Sequence, residues 1–204
     1  RLYQSHWNTL FRQILYIIME IIVPDSMADV SVKQYRDLSN IDLKQDTTEW
    51  MSQSISILCN IDSVIVDKLT LNELDKIGEV INKVTDPDQN NQELQKKIDY
   101  KGKRYGFHPN LSKLTVGEFA DLESYCNGGY FENLNEIIGI LYRPIVTEGG
   151  DFYTIEDYDA VVFPNYWDDL KMDVVLGATN FFLSTAETLT NALVSYSMED
   201  QEQT

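Results

Sequence analysis

Cysteine is scarce, at two residues in 204. Cys59 and Cys126 stand alone at spacings that fit neither a metal site nor a redox pair, so they read as reduced, structural thiols of a cytosolic protein. Histidine is as rare, with only His6 and His108. A Ser-His-Asp or Cys-His site would therefore rest on His108 beside Pro109, and no nucleophile elbow accompanies it. Glycine supplies short turn pairs, Gly128-Gly129 and Gly149-Gly150, without the Lys-Ser/Thr of a P-loop or the spacing of a dinucleotide fingerprint. Basic residues are few: 16 Lys and Arg face 33 Asp and Glu, a net charge of -17. Such a chain repels phosphate backbones, and no Lys/Arg stripe interleaved with aromatics offsets this, which argues against nucleic-acid binding. An acidic DNA mimic is the alternative, but a solvated acidic surface is the simpler reading.

A long apolar run is also missing. Arg1 to Ile18 is charge-poor and apolar but too short for a membrane span, and Glu20 follows without a small-residue cleavage site. We expect the natural product to start at Met19, with residues 1–18 a doubtful leader or translated upstream sequence, and no membrane partner. Neither a cofactor nor a metal is expected. Asp86, Asp88 and Asn90 imitate the start of a calcium loop, but Asn91 stands where the turn needs Gly and Lys97 where a bidentate Glu belongs.

What is present is a hydrophobic fraction of 43% with eight Phe, three Trp and twelve Tyr, enough for a folded core at this length. One block recurs. Ser31-Val32, Gln34-Tyr35 and Asp37-Leu38 match Thr115-Val116, Glu118-Phe119 and Asp121-Leu122. In each, Ser/Thr-x-x-Gln/Glu is a capping box that satisfies two orphan helix N–H groups reciprocally. With Pro24 and Pro109 upstream, the pairing reads as a duplication, and Phe119 and Leu122 are expected to face a core.

The expected order begins with a short strand at Glu20–Val23, a helix from Ser31 to about Asn40, and a second from Asp46 or Thr47 through Leu58. Thr70 and Glu73 form a third capping box on a helix to Val84, apolar at Leu74, Ile77, Val80, Ile81 and Val84. DPDQNNQ from Asp86 marks a linker. Ile98–Tyr100 and Arg104–His108 flank a hairpin turn at Lys101-Gly102-Lys103. Helices follow at Thr115–Tyr125 and Leu134–Tyr142, then an irregular acidic segment from Thr147 to Asp169. The last helix runs from Lys171 to about Met198 with Val174, Ala178, Phe181, Phe182, Leu189, Leu193 and Tyr196 in one stripe. The fold class is therefore α+β, mainly α. Residues 19–85 and 98–204 form two similar halves joined by 86–97, each with short strands and about three helices, packed as one unit.

Candidate chemistry is thin. Adjacent carboxylates such as Glu156-Asp157 and Asp168-Asp169 show no separated environments of the kind acid/base catalysis needs. The aromatic residues Tyr153, Tyr158, Phe163, Tyr166 and Trp167 are the candidate protein-binding surface, since such residues anchor interfaces; packing onto the last helix is the alternative.

The succession of a short strand, the TVGEFADLE helix, the NEIIGILYRPI helix, a Tyr-rich loop and the MDVVLGATNFFLSTAETL helix resembles small proteins encoded among the head and tail genes of tailed bacteriophages. These include the crAss-like phages of gut Bacteroidetes, and the likeness covers Met19 to Met198. It implies a non-enzymatic role resembling a tail assembly chaperone, bound to another phage structural or tail protein in the cytoplasm of the bacterial host. A permanent virion component is the alternative, and a hydrolase using His108 with nearby carboxylates is the rival from another class. The resemblance carries over no catalytic residue.

Overall fold

The computed structural model describes residues 21–42, 44, 46–86, 92–150, 152–159 and 165–185. The doubtful leader, Pro87 to Asn91 of the linker, Phe163, and Leu189, Leu193 and Tyr196 lie outside them.

Helix α1 (Val32–Ser39) starts at Ser31, whose side chain accepts from the Gln34 N–H while Gln34 reaches back to the Ser31 N–H. Helix α2 (Thr47–Leu58) is capped by Asp46, which accepts from the N–H groups of Thr48 and Glu49. A short α3 (Ser63–Val66) follows, and then α4 (Leu71–Thr85), on which the Thr70–Glu73 capping box forms. Helix α5 (Val116–Asn127) carries the third box, Thr115 with Glu118. Helix α6 is Leu134–Leu141, and α7 occupies residues 172–185.

All four strands of the sheet lie between α4 and α7: β1 (Lys97–Tyr100), β2 (Lys103–Phe107), β3 (Tyr142–Gly149) and β4 (Phe152–Ile155), paired in that order and antiparallel. Lys101 and Gly102 turn between β1 and β2 at φ 46° and 75°, both in the left-handed region that a two-residue hairpin of this type demands. Two expectations need correction. Residues 21–25 form no strand, because Pro24 and the turn after it leave this stretch nothing to pair with. The segment expected to be irregular from Thr147 instead continues β3 and, after Gly149-Gly150, returns as β4. Two glycines permit close layers. A Cβ on Gly106 would stand 2.3 Å from the Tyr153 ring, and one on Gly177 would stand 2.3 Å from the Glu93 carbonyl oxygen.

The core is one buried cluster to which Val30, Ile55, Ile81, Ile98, Tyr105, Leu122, Ile138, Tyr142 and Met172 all belong, while β4 contributes no residue to it. Helix α1 packs on α2 and α6, α2 on α4, and α5 on α6. Leu122 is buried as expected, but Phe119 is 52% exposed. With a helical residue advancing about 100° per step, the face of α5 that buries Glu118 and Leu122 turns Phe119 outward. Val80 and Phe181 are likewise exposed within their stripes. The stretch before α7 is stitched to the start of α1: Val32 N–H donates to Leu170 O at 2.9 Å, Lys33 N–H to Asp168 O at 3.0 Å, and Met172 N–H to Val30 O at 2.9 Å. That stitching sets the position of the aromatic residues just upstream.

Candidate functional site

Tyr166 and Trp167 pack against Tyr100 of β1 and Tyr105 of β2. The Trp167 indole stacks on Tyr100 at 5.0 Å between centroids and meets Tyr105 edge-on at 4.9 Å. The Tyr105 and Tyr166 hydroxyls are 2.6 Å apart, and the Tyr100 hydroxyl donates to the Tyr166 carbonyl at 2.8 Å. A buried amide fixes the loop: Trp167 N–H donates to Asn135 Oδ1 at 2.7 Å, and Asn135 Nδ2 donates to Asp168 Oδ1 at 2.9 Å. Asp168 also receives both terminal nitrogens of Arg36, at 3.0 and 3.1 Å. This fork-on-carboxylate geometry joins α1, α6 and the loop at one point.

Between this aromatic group, α6 and residues 156–159 lies a cleft of about 300 Å³. Tyr105, Tyr158, Tyr166 and Trp167 supply π surface, and Gly139 supplies a helix face without a side chain. Four carboxylates, Glu136, Glu156, Asp157 and Asp159, line it against two cations, Lys103 and Arg143. Burial, then the hydrogen-bonded Tyr166 and the charge of Glu156, push the Tyr105 phenol pKa up, so it stays neutral. The Tyr158 hydroxyl donates to Asp121 Oδ2 at 2.7 Å, and burial followed by that carboxylate raises its pKa as well.

Of the candidate aromatic residues, Tyr158, Tyr166 and Trp167 therefore meet in one cleft. Tyr166 and Trp167 pack against Tyr100 and Tyr105 of the sheet, and Tyr158 reaches Asp121 of α5. Trp167 is only 5% exposed and forms a wall more than a projecting anchor. Tyr153 stands apart: its ring covers Gly106, its hydroxyl donates to Phe107 O at 2.6 Å, and Lys97 Nζ lies 5.4 Å from its centroid. Sequence reasoning passed over Gly139, Glu136 and Asp159. Glu156-Asp157 was visible as an acidic pair, but only the fold shows what it faces.

His108 does not line the cleft; it lies beside Glu118 and behind Arg143 of the cleft wall. All three are buried, at 8%, 2% and 7% exposure. Arg143 Nη2 sits 2.8 Å from Glu118 Oε1, while Glu118 Oε2 accepts the Thr115 N–H. Burial acts to raise the Glu118 pKa, but the Thr115 hydrogen bonds and the charge of Arg143 outweigh it, and the net shift is downward. Burial, then Arg143, lowers the His108 pKa. Glu118 is thus committed to a helix cap and an ion pair, and the His108 ring accepts from the Asn110 N–H at 3.4 Å. Cys126 lies on α5, its thiol pKa raised by burial, the opposite of an activated nucleophile.

Among the described residues no group of three or more His, Cys, Asp or Glu is placed to hold a metal ion, and no helix is long and apolar enough to cross a membrane. No family model, curated protein or solved structure matches the chain.

Proposed function

We propose that this chain is a non-catalytic protein that works by binding another protein, as the resemblance to phage head and tail proteins suggests, with a phage structural or tail protein as its partner during particle assembly. The carrying observation is the cleft, in which aromatic side chains and carboxylates converge, while the buried Glu118 and Arg143 are paired with each other and the His108 ring accepts from the Asn110 N–H. Aromatic side chains presented at low entropic cost are the usual anchors of protein recognition, and the chain's -17 charge would keep a complex with an apolar or basic partner dispersed. The same reading treats the two halves as copies of one plan, supported by the matched capping boxes at Ser31 and Thr115, and carries α7 on toward Met198 as a long helix. It has the protein acting in the cytoplasm of an infected bacterium.

The test is affinity capture of the tagged chain from infected cells, with mature particles analysed in parallel. Specific recovery of one virion or tail protein, with the chain absent from particles, is the expected result. Presence in mature particles would make it a permanent virion component. Ester or amide turnover abolished by His108→Gln would overturn the reading in favour of a hydrolase.

A further inference from the structure

Resting on that partner-binding reading, we propose that the cleft between α6, β2 and residues 156–167 receives an arginine side chain presented by the partner polypeptide. Three features of the site converge on this occupant. The first is charge: four carboxylates line the cleft against two cations, and one of those cations, Arg143, is already paired with Glu118 at 2.8 Å. The second is the aromatic lining of Tyr105, Tyr158, Tyr166 and Trp167, in which the half-buried Tyr158 and Tyr166 are rings of the kind that attract a cation. The third is size. About 300 Å³ is at the small end for ligand pockets and suits one long side chain with a little flanking backbone.

The molecule already performs this chemistry once on its own surface. Lys101 Nζ lies 4.9 Å from the Tyr166 centroid and 5.2 Å from that of Tyr100, donates to Tyr166 O at 2.7 Å, and stands 3.5 Å from Asp169. A cation is thus already held beside Tyr166 by its ring, its carbonyl and the neighbouring Asp169 carboxylate. Arginine is favoured over lysine for the cleft because guanidinium is planar, weakly hydrated, stacks on aromatic faces and can be received by two carboxylates at once.

The experiment uses the isotope-labelled full chain and four peptides, Gly-Gly-X-Gly-Gly with X as arginine, citrulline, lysine or glutamate, followed by amide NMR at low and moderate salt. The expected result is a shift confined to Gly139, residues 156–159 and the Trp167 indole, with the arginine peptide bound about tenfold more tightly than the neutral, near-isosteric citrulline peptide. The exposed pair Glu156→Gln and Asp157→Asn should weaken arginine binding about tenfold while leaving the urea midpoint unchanged. Equal binding of arginine and citrulline, shifts spread over the acidic surface, or no effect of the double variant would overturn the proposal. Lysine bound as tightly as arginine would overturn the guanidinium assignment. The two readings separate cleanly. A virion protein still captured by the double variant removes the cleft assignment and leaves partner binding intact. Arginine binding in the cleft with no virion protein captured removes the assembly reading and leaves the cleft.

Discussion

The buried pair of Glu118 and Arg143 makes an asymmetric prediction. Both side chains are nearly sealed from water, with the charged atoms 2.8 Å apart, and Arg143 Nε has no hydrogen-bond partner. Glu118→Gln keeps an oxygen for the Thr115 N–H, so the capping box survives, but leaves a buried guanidinium without a counter-charge. Removing one member of a buried pair costs about 3–5 kcal/mol, a large part of a net stability of about 5–15 kcal/mol. Arg143→Met should cost less, about 2 kcal/mol, because Glu118 still has its Thr115 hydrogen bonds and can take up a proton. In the double variant neither charge remains, and the loss should fall below that of Glu118→Gln alone. The coupling between the sites is then about 2–3 kcal/mol. Urea unfolding followed by circular dichroism reads this directly: with a slope of about 2 kcal/mol/M, Glu118→Gln moves the midpoint down by about 1.5–2.5 M. Additive losses, or a Glu118→Gln midpoint within about 0.3 M of the parent, would refute the account of this pair.

Two further outcomes follow. Gly177→Ala should cost about 2–3 kcal/mol, because its Cβ would stand 2.3 Å from the Glu93 carbonyl oxygen and backbone must move to admit it; unchanged thermal unfolding would contradict that contact. Stability should also fall in two acid steps. Burial and Arg143 lower the His108 pKa below 6.5, so between that depressed value and 6.5 the unfolded chain binds more protons and stability rises with pH. Glu118, lowered below 4.5, adds stability that is present above 4.5 and lost as pH falls through its folded value. Urea midpoints between about pH 7.5 and pH 2.5 should show both steps, and His108→Gln should erase only the upper one.

Local chemistry was legible and long-range chemistry was not. The capping boxes at Ser31, Thr70 and Thr115 all form, because their partners are three residues apart and the hydrogen bonds are decided within one turn. The β1–β2 hairpin was readable for the same reason, from Lys101-Gly102. The β3–β4 hairpin was missed although Gly149-Gly150 marks its turn. Pro144 sits inside β3 opposite Tyr105, and the acidic residues that follow it obscure the alternation. Phe119 shows another limit: a capping box sets where a helix begins but not which flank meets the core. The cleft was half visible. Tyr158, Tyr166 and Trp167 stood out by residue type, but Asn135 and Arg36, which fix the loop through Asp168, lie 33 and 132 residues away from it, beyond any local pattern.

The central claim is that the acid-rimmed aromatic cleft is where a partner protein is held. Its most direct test is to capture proteins from infected cells with the parent chain and with a Glu156→Lys, Asp157→Lys variant, after checking that the two unfold at the same urea concentration. The account predicts that a virion or tail protein retained by the parent is lost by at least about tenfold in the charge-reversed variant. Equal retention by both would contradict it.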